Sequence, residues 1–343
     1  MRKILIVFTI LTLLLSGCGS REDGAASTRY LTTMDTVMTL TAYGPNREDG
    51  LDKAQAEILA LNAALSTGLS DSEISRLNES GSAALSPEPL ALLERALELY
   101  DSTDGLFDPS VYPLVKLWGF YDKNYHVPTA AELSETLSRV GADHIWISGN
   151  TVTLEDGRQI DLGGIGKGYA TENAAKLIQN EGSENFLLNL GGNVRAIGIK
   201  GDGSKWVCPV ESPEYRDSQT GDQYAITCYL DGRSLVTSGD YERYYVVDGQ
   251  RYHHIIDPDT LYPAKYHRSV SILTEDSGLA DALSTALFMM SVEDGRALIQ
   301  SIREGTSPLG ADFKVEDLEA MWIDADRIQE YQKWTGYLKY TKA

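Results

Sequence analysis

Three stretches of this 343-residue chain set acids, hydroxyls, a lysine and histidines at spacings with chemical potential. In GLADALSTALFMM, Gly278 to Met290, Asp281 stands inside an otherwise apolar run. An ionised carboxylate buried without a partner costs several kcal/mol or more, so Asp281 must be paired, protonated or bound to a metal. At helical spacing Asp281, Ser284 and Thr285 (i, i+3, i+4) share a face and offer three oxygens to one point. Hard oxygens suit Mg²⁺ or Ca²⁺ rather than Zn²⁺. The structural alternative is a helix-buried Asp bonded to a nearby backbone N–H or Arg.

The second stretch, IDLGGIGKGYATENAAKLI, runs from a strand ending at Asp161 through four glycines into a helix. Glycines there let backbone approach a ligand, the helix N-terminus favours phosphate, and Lys167 adds a cation. The spacing is not that of a Walker A loop, and for this stretch alone a purely structural turn is the better reading. The third, TSGDYERYYVVDGQRYHHIIDPDT, places His253 and His254 at the end of a hairpin strand, before an Asp-Pro turn. Alternation sends the two rings to opposite faces, so at most one enters a given site. A neutral histidine there would serve as a base near neutral pH.

The elements that must hold these groups alternate irregularly. YLTTMDTVMTLTAYG reads as a first strand and REDGLDKAQAEILALNAALS as an amphipathic helix. LSDSEISRLNES carries the cap signature of a short helix, and SPEPLALLERALELYDSTDG is a helix opened by Pro. A helix followed by a hairpin turning near Gly149-Asn150 leads into the glycine-rich helix, and FLLNLGGNVRAIG returns as a strand with a glycine turn. Two or three antiparallel strands are expected between Trp206 and Val247, then a hairpin at Asp248-Gly249, the Asp281 helix from about Gly278, a further helix and a closing strand region. The pattern predicts an α+β fold of mixed or antiparallel sheets with packed helices, in two interleaved lobes, not a doubly wound nucleotide fold.

The N-terminus, MRKILIVFTILTLLLSGCGS, has two basic residues, an apolar run too short to span a bilayer comfortably, and small residues before Cys18. Cys18 after Leu-Ser-Gly resembles a bacterial lipobox. The expected organisation is a signal peptide over 1–17, lipidated Cys18 and a polar tether over 18–29, and one domain over 30–343. The protein is then exported and lipid-anchored to the bacterial cell membrane, facing outside the cytoplasm. The formal charge is −20, or −22 once Arg2 and Lys3 leave with the signal. Such acidity argues against nucleic acid as a partner. Any anionic ligand needs local neutralisation by a lysine, helix N-termini or a metal. Cys208 and Cys228 lack neighbouring ligands, and either a cross-strand disulfide or two buried thiols would suit them.

Taken in order, MDT, DSEISRLN, LFDPSVYPLVKLWGF, IDLGGIGKGYAT, LLNLGGNVRAIG, TSGDYERYY with DGQRYHHIIDP, and ADALSTALF resemble the FAD:protein FMN transferase (ApbE-like) family. The resemblance covers nearly all of the chain after Met34. It implies Mg²⁺-dependent transfer of FMN from FAD to a Thr or Ser hydroxyl of an acceptor protein, with release of AMP. Met34, Leu106, Phe107, Asp108, Asp161, Lys167 and Ile256 would contact FAD. The Gly164 carbonyl with Asp281, Ser284 and Thr285 would hold Mg²⁺, and His254 would be catalytic. Acceptors would be subunits of membrane electron-transfer complexes or extracellular flavoproteins. The chain departs from the family's pattern at Leu261, usually Gly, and at Gly68, often aromatic. The second departure keeps FAD hydrolysis to FMN and AMP as an alternative. A flavin-binding lipoprotein without catalysis is the remaining one.

Overall fold

The computed structural model describes residues 25–309, 315–324 and 328–331. The signal segment and Cys18 lie outside them. Along the chain come β1 (Ser27–Thr33), β2 (Thr36–Tyr43), α1 (Arg47–Leu65), α2 (Glu73–Ser80), β3 (Ser82–Ala84), α3 (Pro87–Ser102), α4 (Tyr112–Leu117) and α5 (Ala130–Leu137). Next are β4 (Ile145–Ser148), β5 (Thr151–Leu154), α6 (Gly163–Asn180), β6 (Asn185–Leu190), β7 (Asn193–Ile197), β8 (Trp206–Glu211), α7 (Pro213–Ser218) and β9 (Tyr224–Leu230). The last part holds β10 (Arg233–Gly239), β11 (Tyr244–Val247), β12 (Gln250–His253), β13 (Ser269–Thr274), α8 (Ser277–Phe288), α9 (Val292–Glu304), β14 (Glu319–Ile323) and β15 (Ile328–Tyr331).

Eight strands form one sheet in the order β1-β2-β6-β7-β10-β13-β14-β15. Every neighbouring pair in it is antiparallel. The expected α+β class therefore holds, with antiparallel rather than mixed pairing among the described residues. The central strands are buried on both faces, which their alternation records. Val236, Val270 and Ile272 face the main core with α1, α6 and α8, while Leu235 and Leu273 face a second core under the β8–β9 ribbon. Cys208 and Cys228 are directly opposed across that ribbon, both free and both buried.

Three expectations change. The single first strand is a hairpin, because Met34 and Asp35 both take left-handed backbone, φ 49° and 56°. That conformation makes the two-residue turn matching strand twist, normally signalled by Asn or Gly and here by neither. The tether also ends earlier than residue 29. Strand β1 starts at Ser27, and Arg29 is pinned to Glu48 and Asp52 of α1, each at 2.6 Å. Between Trp206 and Val247 there are four strands, with the short α7 among them. No helix of the described residues is long and apolar enough to cross a membrane.

Helix α8 is buried nearly all round, between α6 and the strands β10 and β13. Leu283, Leu287 and Phe288 are fully buried, and each such side chain contributes about 1.5–3 kcal/mol. Asp276 starts the helix by accepting the Leu279 N–H at 2.9 Å. The close approach of α6 depends on Gly168, where a Cβ would lie 2.2 Å from the Ser277 carbonyl oxygen and 2.7 Å from Asp281 Cβ.

Candidate active site

One cleft of about 440 Å³ opens between the sheet, the N-terminus of α6 and the root of the β11–β12 hairpin. Met34, Leu106, Phe107, Asp108, Asp161, Gly164, Lys167, His254, Ile256, Asp281 and Thr285 all line it. Ser284 does not. Its hydroxyl donates to the Asp281 carbonyl at 2.8 Å and lies 2.7 Å from Ser238 Oγ, behind the wall. The i+3 hydroxyl thus turns back onto its own helix, and the Thr285 hydroxyl lies 3.4 Å from the same carbonyl; of the three residues only Asp281 and Thr285 line the cleft.

Asp281 is 3 % exposed. Its Oδ2 accepts the Gly168 N–H at 2.9 Å, and its Oδ1 lies 3.3 Å from Asn193 Nδ2 and 3.5 Å from Lys167 Nζ. Both the ionic and the backbone pairings considered for this acid are therefore present, with Lys167 in place of Arg. Asn193, absent from the sequence-derived set, follows the Gly191-Gly192 turn of β6–β7. A Cβ on Gly191 would strike Thr36 Oγ1 at 2.2 Å, so this turn packs directly on strand β2 beside the Met34-Asp35 turn. Asn193 Oδ1 is buried with no hydrogen-bond partner. Such an orphaned acceptor, in a cleft also lined by Asp281, Thr285 and Gly164, fits a hard divalent cation.

Asp161 is held from three sides. Its N–H donates to the Pro109 carbonyl at 2.9 Å, its Oδ1 accepts the Gly163 N–H at 3.1 Å, and its Oδ2 accepts the Tyr121 hydroxyl. Burial, then the Asp161 charge, pushes the Tyr121 phenol well above its ordinary range, so it stays a donor. Asn78, the last residue of DSEISRLN, bonds both backbone groups of Ile160, at 2.7 and 2.8 Å. That block thus fixes the run into the glycines from α2, as well as capping its own helix through Ser72 and the Ser75 N–H. Asp108 accepts the Ser110 N–H at 2.7 Å, and burial raises its carboxyl to about 6.

The two histidines separate as alternation requires. His253 is buried, with Nε2 2.8 Å from the Ala264 carbonyl, and packs edge-on against Phe288. His254 lines the cleft, against Phe120 and Arg243. Loss of water inside the cleft, then the Arg243 charge, lowers its pKa well below the usual imidazole value. Tyr121, Asn193 and Arg243 are among the cleft residues that sequence reasoning passed over; Asn193 and Arg243 lie within stretches singled out for other reasons, and Tyr121 directly follows one.

The model of the ApbE family matches residues 34–308. The chain belongs to the ApbE family. It is 35% identical over 250 residues to the FAD:protein FMN transferase of Vibrio cholerae, covering 70% of this chain and 73% of that one. It is 34% identical to the FAD:protein FMN transferase of Treponema pallidum, covering 82% and 84%. Among solved structures, the ApbE protein of Thermotoga maritima superposes with a TM-score of 0.80 at 30% identity, over 92% of this chain and all of that one. The flavin transferase ApbE of Vibrio cholerae gives 0.76 at 30% identity, over 90% and 96%.

Proposed function

We propose that this protein transfers FMN from FAD to a Thr or Ser hydroxyl of an acceptor protein and releases AMP. The observation that carries this reading is the union in one cleft of a neutral base, His254, a cation, Lys167, and the buried acid Asp281. The acceptor oxygen attacks the FMN-side phosphorus of the pyrophosphate, and its proton passes to His254 Nε2. The bond from that phosphorus to the bridging oxygen breaks, and AMP departs with the electron pair. Lys167 and the N-terminal amides of α6 face the charge that builds on the phosphate oxygens. Met34, Leu106, Phe107 and Ile256 supply apolar contact for the flavin end of FAD. Asp281, Thr285 and the Gly164 carbonyl would hold Mg²⁺, which when bound neutralises phosphate charge.

The test is flavinylation of a co-expressed acceptor by His254→Ala and Asp281→Ala variants. Covalent flavin on the acceptor is expected to disappear in both, and normal labelling by both would sink the reading. A second reading has one observation in its favour. Gly68 lines the cleft, and a Cβ there would meet only Ser66 Oγ, at 3.6 Å, which leaves room for water. Stoichiometric AMP release from FAD without acceptor would establish hydrolysis alongside transfer, and its absence would exclude it.

For location, the reading is a lipid anchor at Cys18 that holds the enzyme on the outer side of the cell membrane. There it meets acceptors such as electron-transfer subunits or extracellular flavoproteins. Cys18→Ala is expected to move the protein from the membrane fraction to the soluble exported fraction. Unchanged fractionation would refute the anchor.

A further inference from the structure

Three donors surround Asp281, and one of them differs from the others. The Gly168 N–H is backbone, and Asn193 is 1 % exposed, so neither has room to leave. Lys167 is the cation nearest the acid among the described residues, its side chain is 26% exposed, and it lies in the cleft. Its ammonium is held at the outer limit of hydrogen bonding, 3.5 Å from Asp281 Oδ1 and 3.4 Å from the Gly163 carbonyl. The Asn193 amide cannot turn over to improve matters, because its oxygen would then face the carboxylate. Oxygen acceptors therefore outnumber close donors around Asp281.

We propose that Lys167 is an exchangeable counter-ion, a claim that rests on the transferase reading. It neutralises Asp281 while no divalent cation is bound, then yields the carboxylate to the cation and carries its charge to the FAD diphosphate. Two consequences follow. Lysine and cation compete for one carboxylate, so the lysine weakens metal binding in the absence of flavin. The displaced ammonium is then available to the diphosphate, so cation and FAD each strengthen the binding of the other.

Mn²⁺ titration of flavin-free protein, with free Mn²⁺ read by electron paramagnetic resonance, tests the first consequence. Lys167→Met is expected to tighten Mn²⁺ binding about tenfold, and Lys167→Gln, which keeps a polar group for folding, to tighten it by a smaller factor. Unchanged or weaker affinity in both variants would overturn the exchange. FAD binding followed by flavin fluorescence tests the second. Mn²⁺ is expected to tighten FAD several-fold less in Lys167→Met than in the unaltered protein, and equal tightening would overturn it. Asp281→Asn separates the two levels of the argument. It is expected to abolish Mn²⁺ binding, and retained affinity would remove the metal site on which both readings stand.

Discussion

His254 is held at one oxygen of Arg243. Its backbone N–H donates to the Arg243 carbonyl at 3.1 Å, and its Nδ1 lies 3.2 Å from the same atom. A carbonyl only accepts, so the ring proton resides on Nδ1 and the lone pair of Nε2 is left for the cleft. The proposed base is thus oriented by backbone, where catalytic histidines often use a carboxylate.

The low pKa of His254 fixes one side of the pH profile. The acidic limb of kcat/KM is expected below pH 6.5, since burial and the Arg243 charge both disfavour imidazolium. Arg243→Gln is expected to move that limb upward while the backbone contact persists. A limb at or above pH 6.5 in the unaltered enzyme would contradict the assignment of His254 as base. His254→Ala is expected to lose about 10²-fold or more in transfer rate.

Asp108 predicts a stability effect with a definite sign. Burial raises its folded-state pKa from 3.8 to about 6, so the folded state binds the proton more tightly than the unfolded chain. Its contribution is fully present below pH 3.8 and is lost as pH rises through about 6. Asp108→Asn is expected to flatten that part of the unfolding free energy against pH, with a gain of about 2–3 kcal/mol at neutral pH relative to the native slope. Parallel curves for the two proteins would refute the prediction.

Gly168→Ala is expected to destabilise the fold by about 3 kcal/mol, at the upper end for overpacking, because the clash is with backbone of α8. Denaturant unfolding measures this, and FAD affinity should fall with it since Asp281 rides on the same contact. An exposed control such as Gly203→Ala tests only the glycine's left-handed φ of 82°, with open space around it.

Asn78 acts on the site from a distance. Asn78→Ala removes both bonds to Ile160 and leaves buried backbone groups unpaired, a cost of about 2 kcal/mol. Because Asp161 follows Ile160 directly, KM for FAD is expected to rise by about tenfold with kcat less affected. An unchanged KM would mean that the Asp161 loop does not depend on α2.

The parts legible in the sequence were those governed by local rules. The helix cap at Ser72, the turn at Asp248-Gly249 and the divergence of His253 from His254 all follow from spacing and residue type. The family resemblance supplied the cleft residues, and eleven neighbouring wall positions from distant parts of the chain do meet there. What failed did so for physical reasons. Met34-Asp35 adopts a turn its residue types rarely form, so one strand became two. Ser284 sits at the right helical angle, but β10 offers it Ser238, and a nearby hydroxyl won over the cleft. Leu261, flagged as a departure from Gly, takes φ 65°, so the chain keeps a glycine-like turn with a branched side chain in place. Asn193 and Tyr121 were invisible because their roles depend on contacts across the fold, 88 and 40 residues away.

Among the described residues the β11–β12 hairpin pairs only with itself, whereas Lys167 and Asp281 belong to two helices packed together in the main core. His254 therefore follows a separate two-stranded ribbon, while Lys167 and Asp281 sit on helices of the main core. On the transferase reading, such a division lets the hairpin and its aromatic neighbours vary while the half proposed to hold the nucleotide stays unchanged.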